Sequence, residues 1–206
     1  MKHSSLLRGA TSAFAVVLFA ALSACSKQEP AAQPPAAAKT APAAEDPLAA
    51  AVNSDSRSAE DKSRDQYRHP QEALAFWGLQ PGMTILEVQP GAGWWTEILA
   101  PYAHATGGKY YATAADLDNP ELSEGARKGR ADFEARLAAK SATHGQVQLV
   151  NFGPKSKPLP QNTFDFALSA RSVHGWMGNG LTEKVLKDLY GAIWRSEERR
   201  VGKECR

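Results

Sequence analysis

Cysteine, aromatic residues and charge of one sign are all scarce in this 206-residue chain, and each scarcity removes a class of protein. The two cysteines, Cys25 and Cys205, are too few for a disulfide scaffold. Aromatic residues make up 8% and charged residues 22%, with no repeat, which excludes collagen-like and coiled-coil chains. The net charge of +2 comes from the two ends, because Cys25 to Trp194 holds 17 basic and 19 acidic residues. A mildly acidic domain lacks the dense Lys/Arg surface that nucleic acid requires, so no nucleic-acid partner is expected. No His/Cys/Asp/Glu spacing makes a metal site, and no Gly-x-Ser-x-Gly elbow is present. The apolar run Ala10 to Leu22 has 13 residues, too short to cross a bilayer of about 30 Å.

That run has the length of the apolar segment of an export signal, and it follows the basic residues Lys2 and Arg8. It ends in Leu22-Ser23-Ala24-Cys25, which resembles the bacterial lipobox. The resemblance implies cleavage before Cys25, acylation of its thiol and new amino group, and stable attachment to a membrane. Ser26 resembles the residue that follows the cysteine in lipoproteins of the Gram-negative outer membrane, so a periplasm-facing location is expected. Residues 1–24 thus read as a lipoprotein signal peptide. Residues 25–57 read as a lipid-anchored linker, where Pro30, Pro34, Pro35, Pro42 and Pro47 interrupt alanines and little is available to bury. At the other end, Arg195-Ser196-Glu197-Glu198-Arg199-Arg200-Val201-Gly202-Lys203-Glu204-Cys205 resembles a short-read sequencing adapter translated in frame. Residues 195–206 are therefore set aside, and the natural sequence is expected to continue past Trp194.

Residues 58–194 alternate strand and helix patterns. His69 to Gly78 reads as a helix with Pro70 at its first position, Gly78 past its end, and Leu74, Phe76 and Trp77 as its apolar surface. Met83 to Val88 is a compact apolar run, the pattern of a buried parallel strand. Further strands are expected at Lys109–Thr113, Val147–Phe152 and Phe164–Ala170. Helices are expected at Trp94–Tyr102, Pro120–Lys140 and Thr182–Trp194, the last capped by Thr182. Its stripe of Val185, Leu186, Leu189, Tyr190 and Ile193 has the 3.6-residue period. This alternation calls for an α/β fold, a Rossmann-like, doubly wound, mostly parallel sheet covered on both faces. Such sheets bind ligands at the carboxyl ends of their strands.

Between the first strand and its helix lies Gln89-Pro90-Gly91-Ala92-Gly93. Glycine lets the backbone pass close to a ligand, and the helix start behind it offers unpaired N–H groups to an anion. The third glycine of a dinucleotide-binding loop is missing, with Thr96 in its place, and no Walker lysine follows. The stretch Gly78 to Gly93 resembles the first motif of class I S-adenosylmethionine-dependent methyltransferases. Arg68-His69-Pro70, Pro90 to Tyr102 and Arg171-Ser172-Val173-His174-Gly175-Trp176-Met177 are similar to a family of exported bacterial predicted methyltransferases. The resemblance implies S-adenosylmethionine as cofactor and Glu87 as the acid that orients its methionine end. Gly91 and Gly93 match the later glycines of the loop, and Gln89 stands where many members have the first. The acid that reads the ribose hydroxyls would fall near Ala114; Asp116 is taken in its place, with Asp118 just downstream. Asp165 opens the fourth strand as in the family or simply caps a turn. The family's sheet has seven strands, so the last three are expected to be missing from this chain.

Methyl transfer from a sulfonium is an in-line displacement that depends on positioning, with a base needed only where the acceptor loses a proton. His174, just past the fourth strand, is the candidate for that base, or else a loop histidine bonded to a backbone carbonyl. Trp94, Trp95 and Trp176 could line an acceptor site or fill the core. His69 is read as a helix cap, and His104 and His144 as lone loop residues. The expected function is methyl transfer to a small-molecule or envelope acceptor by a lipid-anchored protein. The alternative is a non-catalytic binding module of the same fold, favoured by Gln89 and by the missing acid at Ala114.

Overall fold

The computed structural model describes residues 46–193, so the expected signal peptide, Cys25, most of the expected linker and residues 195–206 lie outside the described residues. Four strands, β1 (Thr84–Val88), β2 (Lys109–Ala115), β3 (Val147–Phe152) and β4 (Phe166–Ser169), form one parallel sheet. Their spatial order is β3-β2-β1-β4, with Leu86 beside both Tyr111 and Ala167. The period-2 alternation of a strand divides the apolar residues between two cores. Ile85, Tyr110, Ala112, Leu149, Phe166 and Leu168 enter one core, and Leu86, Val88, Tyr111, Val150, Phe152 and Ala167 enter the other.

The first core is covered by α4 (Pro70–Phe76), α5 (Thr96–Ala105) and α6 (Glu124–Ala139), through Leu74, Ile98, Leu99, Phe133 and Leu137. The second receives Trp176 of α8 (Val173–Gly178) and Val185 and Ala192 of α9 (Thr182–Ala192). The sheet is thus covered on both faces, as the alternating pattern predicts. The amino ends of β1 and β4 are tied by Asp165: its carboxylate accepts the Thr84 N–H at 2.8 Å, and its own N–H donates to the Thr84 carbonyl at 2.9 Å. These contacts lie at the opposite end of the sheet from the loops that carry chemistry.

Several expectations need correction. The linker does not run to residue 57, because α1 (Pro47–Asn53) is a helix that buries Leu48, Ala51 and Val52 against α4 and α5. Alanine is the best helix former, proline suits the first helical position, and the Asp46 side chain accepts the Leu48 N–H at 2.9 Å. Composition suggested a tether where local capping made a helix. Phe76 and Trp77 are exposed, so Leu74 alone of that trio is buried. On α9 the inward residues are Val185, Asp188 and Ala192, while Leu186 and Tyr190 are exposed. Leu181, not Thr182, occupies its N-cap, and no side chain caps it. Two short helices ahead of α4, α2 (Ala59–Ser63) and α3 (Asp65–Arg68), and a third after α6, α7 (Ser141–His144), were not read from the sequence.

Gly108 leads into β2 where two backbones nearly touch, and a Cβ there would lie 2.3 Å from the Met83 carbonyl oxygen. Gly125, near the start of α6, has no atom within 4 Å of the same position. Urea unfolding should therefore show Gly108→Ala to be destabilised by about 2–3 kcal/mol. Gly125→Ala should gain about 0.5–1 kcal/mol from helix propensity.

Candidate functional site

The chain steps from β1 outward to β2 and β3, then returns to place β4 on the other side of β1. The carboxyl ends of β1 and β4 are therefore the point where the winding reverses, and the loops there part to leave a crevice. A hollow of about 310 Å3 occupies it, lined among others by Arg64, Arg68, Glu87, Gly91, Trp95 and Arg171. A second hollow of about 400 Å3 lies over β2 and β3, lined among others by Ala114, Arg130, Phe133, Phe152 and Gly153. Gln89, Pro90 and Gly91 line both, so the glycine loop is the partition between them.

The loop reaches its shape without a glycine at its first position. Gln89 takes φ 53°, a left-handed conformation that costs an L-residue about 1–2 kcal/mol. Two hydrogen bonds offset that cost: its N–H donates to Thr113 Oγ1 at 2.7 Å, and its Oε1 accepts from Trp176 Nε1 at 2.7 Å. Gln89 therefore does what a glycine would do and also fixes α8 to the loop. Gly91, at φ 59°, has no atom within 4 Å of where a Cβ would stand, which leaves its surface free for a ligand. Gly93, at φ 89°, is buried, and a Cβ there would lie 3.3 Å from Arg136 Nη2 and 3.5 Å from Thr96 Oγ1.

Glu87 is 3% exposed at the carboxyl end of β1. Its Oε2 accepts from Thr96 Oγ1 at 2.9 Å and from the Tyr110 hydroxyl, which also lies 3.1 Å from Thr96 Oγ1. Burial pushes the Glu87 carboxyl from 4.5 up to about 7, against the opposing pull of the Tyr110 and Thr96 hydrogen bonds. Burial, followed by the neighbouring Glu87 charge, raises the Tyr110 hydroxyl well above its ordinary range. The carboxyl is thus poised between its two protonation states near neutral pH.

Of the residues expected at the site, Glu87, Gln89 and Gly91 converge. Asp116 is buried, lines neither hollow, and accepts the Asp118 N–H at 3.1 Å within a turn; it adjoins Gly153, whose added Cβ would lie 3.6 Å from Asp116 Cβ. His174 is exposed on α8 and lines neither hollow. All three tryptophans are buried in the core, and Trp94 and Trp95, packed edge to face at 4.7 Å, also line the smaller hollow. His69 holds the N-cap position of α4 at φ 44° without a side-chain cap bond. His104 and His144 are not loop residues: they lie on α5 and α7, and His144 is buried with Nε2 3.4 Å from Glu97 Oε2.

The sequence reading missed the guanidinium groups. Arg68 lies over the Trp94 ring at 4.4 Å, and Arg171 follows β4 at φ 63°. Burial, then repulsion from Arg64 and Arg171, lowers the proton affinity of Arg68. Arg68 and Arg171 open two of the segments that carried the family resemblance, but nothing in their spacing, 103 positions apart, says that they meet.

No protein-family model matches this chain, and no curated protein does. Among solved structures, it is similar to a SAM dependent methyltransferase from Aquifex aeolicus, with 27% identity, a TM-score of 0.45, and 64% of this chain and 61% of that one covered. It is also similar to an S-adenosylmethionine dependent methyltransferase from Mesorhizobium loti, with 23% identity, a TM-score of 0.37, and coverage of 60% and 48%. The chain thus spans about three fifths of the first protein and about half of the second.

The shifted Glu87 carboxyl sets a pH dependence. Between pH 4.5 and 7 the unfolded chain ionises this group while the fold keeps it protonated, so stability falls as pH rises through that window. The loss should approach an order of 3 kcal/mol. Urea unfolding at pH 5 and pH 7.5 should show Glu87→Gln losing this contribution and becoming, relative to wild type, more stable at the higher pH.

Proposed function

We propose that this chain is an S-adenosylmethionine-dependent methyltransferase, carried on a lipid anchor at Cys25 and facing the periplasm of a Gram-negative bacterium. The observation that carries the reading is Glu87, a buried carboxyl beside the bare backbone of Gly91 where two hollows of different character meet. The site residues fit this cofactor. Glu87 and the loop would hold its amino-acid end, and the hollow walled by Phe133 and Phe152 offers a planar base apolar surface. Asp116 is proposed for the ribose hydroxyls, which would require its buried carboxylate to turn from the Asp118 N–H toward the hollow that Gly153 lines. When bound, the cofactor supplies an electrophilic methyl group on a sulfonium.

The remaining work belongs to the chain. Glu87 orients, the glycine loop lets the ligand approach, and Trp94 and Trp95 exclude water from one side of the smaller hollow. His174 is the assigned base for an acceptor that must lose a proton; it stands two residues before Trp176, whose indole is fixed to the loop through Gln89. The second reading, a non-catalytic binding module, draws support from one feature. Ala114 and Ala115 line the larger hollow where a ribose-reading acid would stand.

Calorimetric titration of S-adenosylhomocysteine into the full chain separates these readings. The methyltransferase reading expects saturable micromolar binding, weakened about tenfold or more in Glu87→Ala because a charge-assisted contact is lost. His174→Ala should leave that affinity unchanged. An absence of binding to wild-type protein with folded circular dichroism overturns the reading in favour of the binding module.

A further inference from the structure

The smaller hollow, where Glu87 and the loop would hold the cofactor's amino-acid end, carries positive charge beyond what that end's one carboxylate would offset. Three guanidinium groups line it, from Arg64, Arg68 and Arg171, against the single carboxyl of Glu87. The acidic residues around them are already engaged. Glu60 pairs with Arg64 at 2.6 Å, and both oxygens of Asp65 accept from Arg57 at 2.7 Å. The Asp61 carboxylate accepts from the Ser58 hydroxyl at 2.8 Å, and Glu87 is held by Thr96 and Tyr110. Among the described residues, the guanidinium groups of Arg68 and Arg171 form no hydrogen bond and no ion pair within 4 Å, and Asp61 and Asp65 attract Arg68 only from farther away.

Gathering like charges in a concave site is unfavourable unless an anion completes it, and a guanidinium presents a planar fork matched to carboxylate or phosphate. Arg68 is positioned in advance by its stacking on Trp94. Arg171 takes φ 63° just after β4, as Gln89 takes φ 53° directly after β1, so the two left-handed residues flank the mouth of the crevice. Neither arginine lines the larger hollow assigned to the adenosine part of the cofactor.

We propose that Arg68 and Arg171 bind a carboxylate or phosphate group carried by the methyl acceptor, which makes the acceptor an anionic small molecule. The proposal rests on the methyltransferase reading above for the word acceptor, and on the hollow itself for the anion. The two arginines are binding residues, and the charge they neutralise lets the ligand lie beside Glu87 without repulsion.

The full chain, saturated with S-adenosylhomocysteine, is titrated with inorganic phosphate and separately with acetate at constant ionic strength. Tryptophan fluorescence is the readout, because Trp94 and Trp95 line the hollow. A saturable change, absent with chloride, is expected, with affinity about tenfold weaker in Arg68→Gln and in Arg171→Gly. Arg171→Gly relieves the left-handed backbone, so a loss of binding there does not reflect a failure to fold. S-adenosylhomocysteine affinity should stay unchanged in both variants. A phosphate response no larger than that of chloride, or one undiminished in both variants, overturns the proposal. Weakened S-adenosylhomocysteine binding in the variants, with phosphate competing against it, also overturns it, since the arginines would then hold the cofactor's own carboxylate. If phosphate binds through the arginines while S-adenosylhomocysteine does not bind wild type, the anion site stands and the methyltransferase reading falls.

Discussion

A carboxyl group buried at the end of a strand has to be satisfied locally, and Glu87 is satisfied by two hydroxyls from different elements. Thr96 opens α5 and Tyr110 lies on β2, so one group joins β1, its following helix and its neighbouring strand. Residues 89–95 must bridge between two points that this cluster fixes, the end of β1 and the start of α5. Their course partitions the two hollows. The same burial that requires these bonds also brings the carboxyl to a balance between protonation states near neutral pH. Structural anchoring and chemical readiness thus have one cause.

The loop has a second support on its other side. Gln89 accepts from the Trp176 indole and donates to Thr113, which links β1, β2 and α8 through one residue. Away from the site, the far side of α5 carries a separate polar cluster. Glu97, 8% exposed, takes Lys140 Nζ at 2.6 Å and stands 3.4 Å from His144 Nε2. Burial works against the Glu97 charge, and His144 and Lys140 together outweigh it, so the carboxyl sits below its ordinary range. Lys140 also donates to the Ser56 carbonyl at 3.3 Å, which holds the segment before α2 against the domain. α5 is therefore fixed at its start by Glu87 and along its outer side by Glu97. The crevice it helps to form has one rigid border.

What was legible followed from periodicity. β1 is a short apolar run, buried nearly throughout, and β3 is an edge strand with only Phe152 buried; the limits of both match the reading almost residue for residue. The glycine loop was legible because a strand, two glycines and a helix in that order have few other uses. Helix α1 was missed because an Ala/Pro-rich segment has the same composition as a tether, and only its Asp46 cap and the surface it buries distinguish it. The stripe on α9 was right in part: Val185, Leu189 and Ile193 pack against the second core, while Leu186 and Tyr190 are exposed. Periodicity gives the existence of a face, and its direction depends on the element's docking.

The sequence by itself determined the class of fold, the four strands, the loop between Val88 and Thr96, and the presence of an acid at the end of the first strand. Those features are local, since each depends on the spacing of a few neighbouring residues. The tertiary structure decided which charges meet. Arg68 and Arg171 come together only because β4 returns beside β1 and α3 packs Arg68 on Trp94. It also decided that Asp116 turns inward, that His174 stays exposed and that Gln89 takes a glycine's conformation. Side-chain direction and long-range proximity follow from how elements pack against one another, and no short window of residues contains that information.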